Sequence, residues 1–175
     1  MTRNSEQGFT LIELLIVVAI ISIIASLAVP GLLRAKMTGN ETSAIASLKV
    51  TTSSQVAYTA SCGNGGYAAT YAVLGTPPAG MTEAFISADL GHAAPIQKSG
   101  YTFAVTAGAG SVPGPNDCNG TATNSAWLAT ALAQTFGTTG TRTFAVNTGN
   151  TIWQSSTSTA PGEPFTTSAT VAPVQ

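Results

Sequence analysis

The chain reads as an α+β protein: one long N-terminal helix, apolar in its first half, packed on a C-terminal antiparallel sheet of about four strands. Three observations predict this. Leu14 to Leu33 runs for twenty residues without a charge. The Gly-rich stop Cys62-Gly-Asn-Gly-Gly66 closes the helical pattern that follows. Beyond residue 100, four short segments rich in β-formers are separated by turn residues. One long helix covering one meandering sheet buries the apolar face of each.

Composition narrows the function classes. Of 175 residues, only 7% are charged, six Lys plus Arg against seven Asp plus Glu, net −1. Soluble domains carry about 25%. The six cations are scattered from Arg3 to Arg142 and make no nucleic-acid-binding patch. Disorder driven by high net charge does not apply either.

The first element is the apolar helix. Leu14 to Ile24 is apolar on every face, so it is buried all round or lies in lipid. Phe9 to Val29 extends about 31 Å as a helix, the thickness of a bilayer's hydrocarbon core. The apolar half, residues 9–31, is therefore read as membrane-spanning or as the core of an assembly. Pro30 and Gly31 follow it, and together they weaken a helix and mark a hinge.

Residues 32–58 continue the helix in more polar form. Met37, Ala44, Ile45, Leu48 and Val56 fall on one face, with Glu41, Ser43 and Lys49 elsewhere. Residues 59–98 read as a connection, with a turn at Thr76-Pro-Pro-Ala-Gly80 and a short helix or turn across Ala84 to Leu90. Sheet is expected across 99–154, with strands at Tyr101–Thr106, Trp127–Leu132, Thr141–Val146 and Thr151–Gln154. The tail, 155–175, is rich in Ser, Thr and Pro and reads as mobile or draped on the surface.

Chemistry is sparse. His92 is the lone histidine and lies in a loop without a Ser or Cys relay nearby. Glu83, Asp89, Asp117 and Glu163 are scattered singly, which is not how acid/base pairs are built. Gly108-Ala-Gly110 lacks the helix and Lys of a phosphate cradle. No catalytic residue, cofactor or metal site is expected. Asn40-Glu-Thr42 and Asn119-Gly-Thr121 match the N-glycosylation pattern.

Glu13 is the exception, because a carboxylate at the edge of an apolar span costs on the order of 3 kcal/mol in lipid and signals function. Gly8-Phe9-Thr10-Leu11-Ile12-Glu13-Leu14-Leu15-Ile16-Val17 resembles the class III signal of type IV pilins and pseudopilins: a short hydrophilic leader ending in Gly, then Phe, then Glu four residues later, then an apolar run. Pro30 fits the same pattern.

That resemblance implies the pilin fold and a structural, non-enzymatic role. It implies a leader, residues 1–8, cut by a prepilin peptidase between Gly8 and Phe9, with methylation of the Phe9 amine. It implies a subunit held in the inner membrane with its C-terminal part outside. An assembly ATPase and platform protein then pass it into a homopolymeric extracellular filament. Physics assigns Glu13 a task there: a buried amine and a buried carboxylate are each costly alone and tolerable as a pair. Glu13 of one subunit meeting Phe9 of another would fix register. In an oxidising compartment Cys62 and Cys118 could pair, closing a long loop worth about 4 kcal/mol in chain entropy; two free thiols are the alternative.

Three rival readings remain at this stage. One is a secretion pseudopilin or minor pilin; the absence of a C-terminal Asp cluster, as a calcium site would need, speaks for the pilus. The second is a secreted soluble binding domain whose ordinary signal peptide is cut after Ala28. Against it, Glu6 and Glu13 precede the apolar run beside a single Arg3, which is no basic n-region. The third is a membrane-anchored monomer.

Overall fold

A computed structural model describes residues 8–92 and 94–174. The greater part of the expected leader, residues 1–7, lies outside them. The chain divides into two units, Met1–Lys36 and Met37–Gln175. Helix α1, Leu11–Ser61, supplies residues to both and contains Pro30 within its span.

In the first unit the helix is exposed on every face from Leu11 to Lys36. In the second unit its buried positions step by three or four residues: Glu41, Ala44, Leu48, Thr51, Gln55 and Tyr58. This face differs from the one expected. Val56 is 52% exposed, and Glu41 is 4% exposed. The face is largely polar, so apolar periodicity could not locate it. The helix ends at a Gly-rich turn in which Gly63 donates its N–H to the Tyr58 carbonyl (2.7 Å). A Cβ on Gly63 would press on the Tyr58 ring at 2.8 Å.

After it come β1 (Tyr67–Ala68), α2 (Tyr71–Leu74), β2 (Ile96–Lys98), β3 (Tyr101–Ala107), β4 (Pro113–Asn116), β5 (Ala122–Asn124), β6 (Trp127–Ala133), β7 (Thr143–Asn147), β8 (Trp153–Ser155) and β9 (Val171–Pro173). The four expected strands correspond to β3, β6, β7 and β8, hydrogen-bonded in that order as an antiparallel meander. The sheet is wider than expected: β2 pairs with β3 on one side and β9 with β8 on the other. A second sheet, ordered β1-β5-β4, stands apart. Its members are two to four residues long, and β4 reads Pro-Gly-Pro-Asn, a turn signal. Short strands made of turn formers carry no alternation to read.

The core lies between the second-unit part of α1 and the main sheet. Tyr101, Phe103 and Val105 of β3 alternate inward, as do Trp127, Ala129 and Ala131 of β6. Strand β7 is buried on both faces. Phe144 and Val146 join the core, while the Thr143 hydroxyl on the other face donates to the carbonyls of Thr157 and Thr159. The tail runs over the sheet here and then returns to it as β9.

Candidate functional site

Two regions hold the residues singled out by sequence. The first is the apolar segment. Sixteen large hydrophobic side chains from Phe9 to Leu33 are about half exposed or more, Phe9 at 86% and Leu27 at 78%. Burying a Leu or Ile side chain gains about 1.5–3 kcal/mol, so covering this surface is worth on the order of tens of kcal/mol. A helix of this length and composition can cross a membrane.

At its start Thr10 and Glu13 cap the helix reciprocally. The Thr10 hydroxyl accepts from the Glu13 N–H (3.3 Å), and Glu13 Oε2 accepts from the Thr10 N–H (3.4 Å) and hydroxyl (2.9 Å). This is a capping box, with Thr at the N-cap and Glu three residues on. The Thr-Leu-Ile-Glu spacing announces it in the sequence, but the reading of Glu13 as an ion-pair partner passed over it. Both bonds to the Glu13 carboxylate fall on Oε2, which leaves Oε1 for another partner. Farther along, the hydroxyls of Ser22 and Ser26 donate to the carbonyls of Val18 (2.7 Å) and Ile23 (2.8 Å). These bonds let both serines sit in an apolar surface. Pro30 has no N–H to return to the Ser26 carbonyl.

The second region lies within the second unit, where residues of α1 from 41 onward meet the strands and loops. Glu41 accepts from the Thr141 N–H (2.8 Å) and hydroxyl (2.9 Å), and from Arg142 Nε (2.8 Å) and Nη2 (2.7 Å). Arg142 also donates to Gln154 and stacks over Phe144 at 5.4 Å. Burial alone would raise the Glu41 pKa. The bonds from Thr141 and Arg142 outweigh it and hold the carboxyl below its ordinary value. Gln55, wholly buried, accepts from the Ala68 N–H and donates to the Ala68 carbonyl, both at 2.9 Å, as a strand neighbour would. Tyr71 shares a hydrogen with Thr51 (2.8 Å), and burial pushes its phenol up to about 12 despite that bond.

Below them Tyr58 donates to Asp117 Oδ2 (2.8 Å); burial first, and then this carboxylate, push its phenol up. Asp117 Oδ1 accepts the N–H groups of Asn119 and Thr121. Cys62 and Cys118 form a disulfide, and the Cys118 N–H donates to the Cys62 carbonyl (2.8 Å). Neither Gln55 nor the Glu41–Arg142 pair was picked out by sequence, because their partners are set by the tertiary fold.

The remaining candidates are dispersed. Glu163 accepts from the Ala109 N–H (2.7 Å) in the Gly108-Ala-Gly110 loop and from Asn147 (2.6 Å). Asp89 pairs with Lys98 (2.7 Å), which with the Ser87 hydroxyl holds its carboxyl below the usual value. His92 lines a cavity of about 250 Å³ beside Tyr71 and Phe103. The amide nitrogens of Asn40 and Asn119 donate to the carbonyls of Thr139 (2.9 Å) and Pro77 (3.2 Å). Among the described residues, no group of three His, Cys, Asp or Glu is placed to hold a metal.

Comparison with known proteins adds two findings. Residues 3–29 match the family described as the prokaryotic N-terminal methylation motif. The chain is similar to the type IV wide pilus major component PilA4 of Thermus thermophilus: 40% identity over 91 residues, covering 49% of this chain and 67% of the relative. No solved structure matches the chain at a significant level. With that identity across two thirds of a pilus protein, and a methylation motif over the apolar helix that starts at Leu11, the chain belongs to the type IV pilin family.

Proposed function

We propose that the chain is a filament-forming pilin. A prepilin peptidase cuts it between Gly8 and Phe9 and methylates Phe9. Residues 9–31 hold it in the inner membrane with its outer unit beyond. An assembly ATPase and platform protein then move it into an extracellular homopolymer. One observation carries this reading: sixteen large apolar side chains on one helix with nothing among the described residues covering them. Lipid covers such a helix before assembly, and copies of the same helix cover it afterwards. The Thermus relative is by its name a major pilus component, which favours a filament subunit over a secretion pseudopilin.

In the filament, Glu13 of one subunit meets the Phe9 amine of a neighbour. The capping box is compatible with this, since of the two carboxylate oxygens it engages Oε2 alone. A desolvated amine opposite any other register would lack a counter-charge, which makes the pair a register device. Pro30 and Gly31 let the apolar helix adjust as it passes from lipid to filament.

Intact-mass and N-terminal analysis of filaments sheared from cells tests the reading. A chain that begins at methylated Phe9 is expected. A chain that keeps its first eight residues, or one that begins at Val29, overturns it. Glu13→Ala is expected to be processed normally and to give no filaments; normal filaments from this variant overturn the register role.

A further inference from the structure

Charge is so scarce in the second unit that every charged side chain from residue 37 onward can be followed. Among the described residues from 37 onward, Glu41 pairs with Arg142 and Asp89 with Lys98. Asp117 and Glu163 are held by hydrogen bonds. One carboxylate, Glu83, and one ammonium, Lys49, have no ion pair or hydrogen bond with any described residue.

Each stands beside an apolar feature, one an exposed side chain and the other a groove. Glu83 follows a projecting turn, Pro78 to Met81, closed by the Met81 N–H on the Pro78 carbonyl (2.9 Å). Gly80 has φ +81° there, a conformation that asks for glycine, and Met81, the last residue of the turn, is 65% exposed. Lys49 borders a groove of about 310 Å³ floored by Ile45, Ile152 and Val174. An unbranched Met side chain suits such an irregular apolar slot.

The two features cannot meet within one chain. The loop is fastened to α1 by Ser54, whose hydroxyl donates to the Phe85 carbonyl (2.8 Å). The groove is built on Ile45, Lys49 and Thr52. At about 100° per residue, Ser54 lies roughly 140–200° around the helix from those three. Knob and slot are therefore on opposite sides of α1. A contact between two different patches of identical chains is head-to-tail, and it propagates as an open helical array wherever its rotation does not close a ring.

We propose that the Pro78–Glu83 turn of one subunit seats in the Ile45–Ile152–Val174 groove of a second copy, Met81 in the slot and Glu83 against Lys49. This rests on the filament reading and names a surface contact for it outside the helical core. Within a head-to-tail polymer every subunit except those at the ends makes the contact twice, once with each side.

A zero-length carbodiimide, which joins a carboxyl to an amine only in direct contact, tests this on wild-type filaments. The expected result is a ladder of linked subunits whose digests contain a Lys49–Glu83 bond. Filaments that give no such bond overturn the contact while leaving the pilin reading intact. Absence of filaments from wild-type cells overturns both. Charge exchange gives a second measurement. Lys49→Glu and Glu83→Lys are each expected to lower the sheared-filament yield about tenfold, since each sets like charges face to face. The double exchange is expected to restore the yield to within about twofold. Single variants that assemble normally, or a double variant no better than either single, overturn the pairing.

Discussion

Glu13 and Glu41 are both carboxylates on α1, and their settings are unlike. Glu13 stands among exposed apolar side chains, capped by Thr10. Glu41 is buried and receives three hydrogen bonds from Thr141 and Arg142, with an ion-pair contact from the Arg142 guanidinium besides. Its folded pKa lies below the ordinary 4.5. The unfolded chain therefore takes up this proton at a higher pH than the folded one. The stability Glu41 gives is fully present above about pH 4.5 and is lost as pH falls through the lower folded value. Acid titration of the full chain in detergent should show the denaturation midpoint falling below about pH 4.5. Glu41→Gln should flatten that fall and cost about 2–3 kcal/mol at neutral pH. That is less than for a fully buried pair, because the Arg142 side chain is 36% exposed. An unchanged acid limb in the variant would remove Glu41 from the account. At this scale Glu13 was legible and Glu41 was not. Glu13 is conspicuous against a run of hydrocarbons, whereas Glu41 sits among polar neighbours and gains its meaning from residues a hundred positions away.

Legibility among the elements follows the same physics. Strands β3, β6 and β7 could be read because their residues alternate between core and exterior or are β-branched and aromatic. The second sheet could not, since β1 is two residues long and β4 is made of Pro, Gly and Asn. Helix α1 could be read in extent but not in orientation over the outer unit, because its inward face carries Glu41, Thr51 and Gln55 beside Leu48 and Tyr58. Gln55 explains how a polar face serves as a packing face. Its amide completes both backbone groups of Ala68, which would otherwise be buried without partners. Gln55→Leu keeps much of the volume and removes both bonds, at an expected cost of about 2–4 kcal/mol. Amide exchange at Ala68 should quicken with it, while exchange in the β3–β6 ladder should follow only the global loss. If Ala68 exchange were unchanged, the side-chain bridge would not be what holds β1 to the helix.

At the scale of the molecule, a chain with 7% charged residues and small, short-stranded sheets needs restraints that hydrophobic burial alone does not supply. Cys62 and Cys118 provide one, joining the residue after α1 to the connection between β4 and β5 across 56 positions. The pairing was legible from compartment and count, and its surroundings were not. Tyr58 on Asp117, Asn64 on the Asn116 carbonyl, and Cys118 on the Cys62 carbonyl brace the same junction. In chain-entropy terms a loop of this length contributes about 4 kcal/mol by limiting the unfolded state. Cys62→Ser with Cys118→Ser should therefore lower the unfolding free energy of the full chain by about that amount, read from the denaturant midpoint at constant slope. Reductant should lower the wild type to the same midpoint and leave the double variant unmoved. Because the effect lies largely in the unfolded state, the bracing hydrogen bonds should persist in the folded variant, and Tyr58 should keep a raised phenol titration. A Tyr58 titration that fell to its ordinary value on loss of the disulfide would show instead that the bond holds the native junction together. Filament yield would then be expected to fall with it.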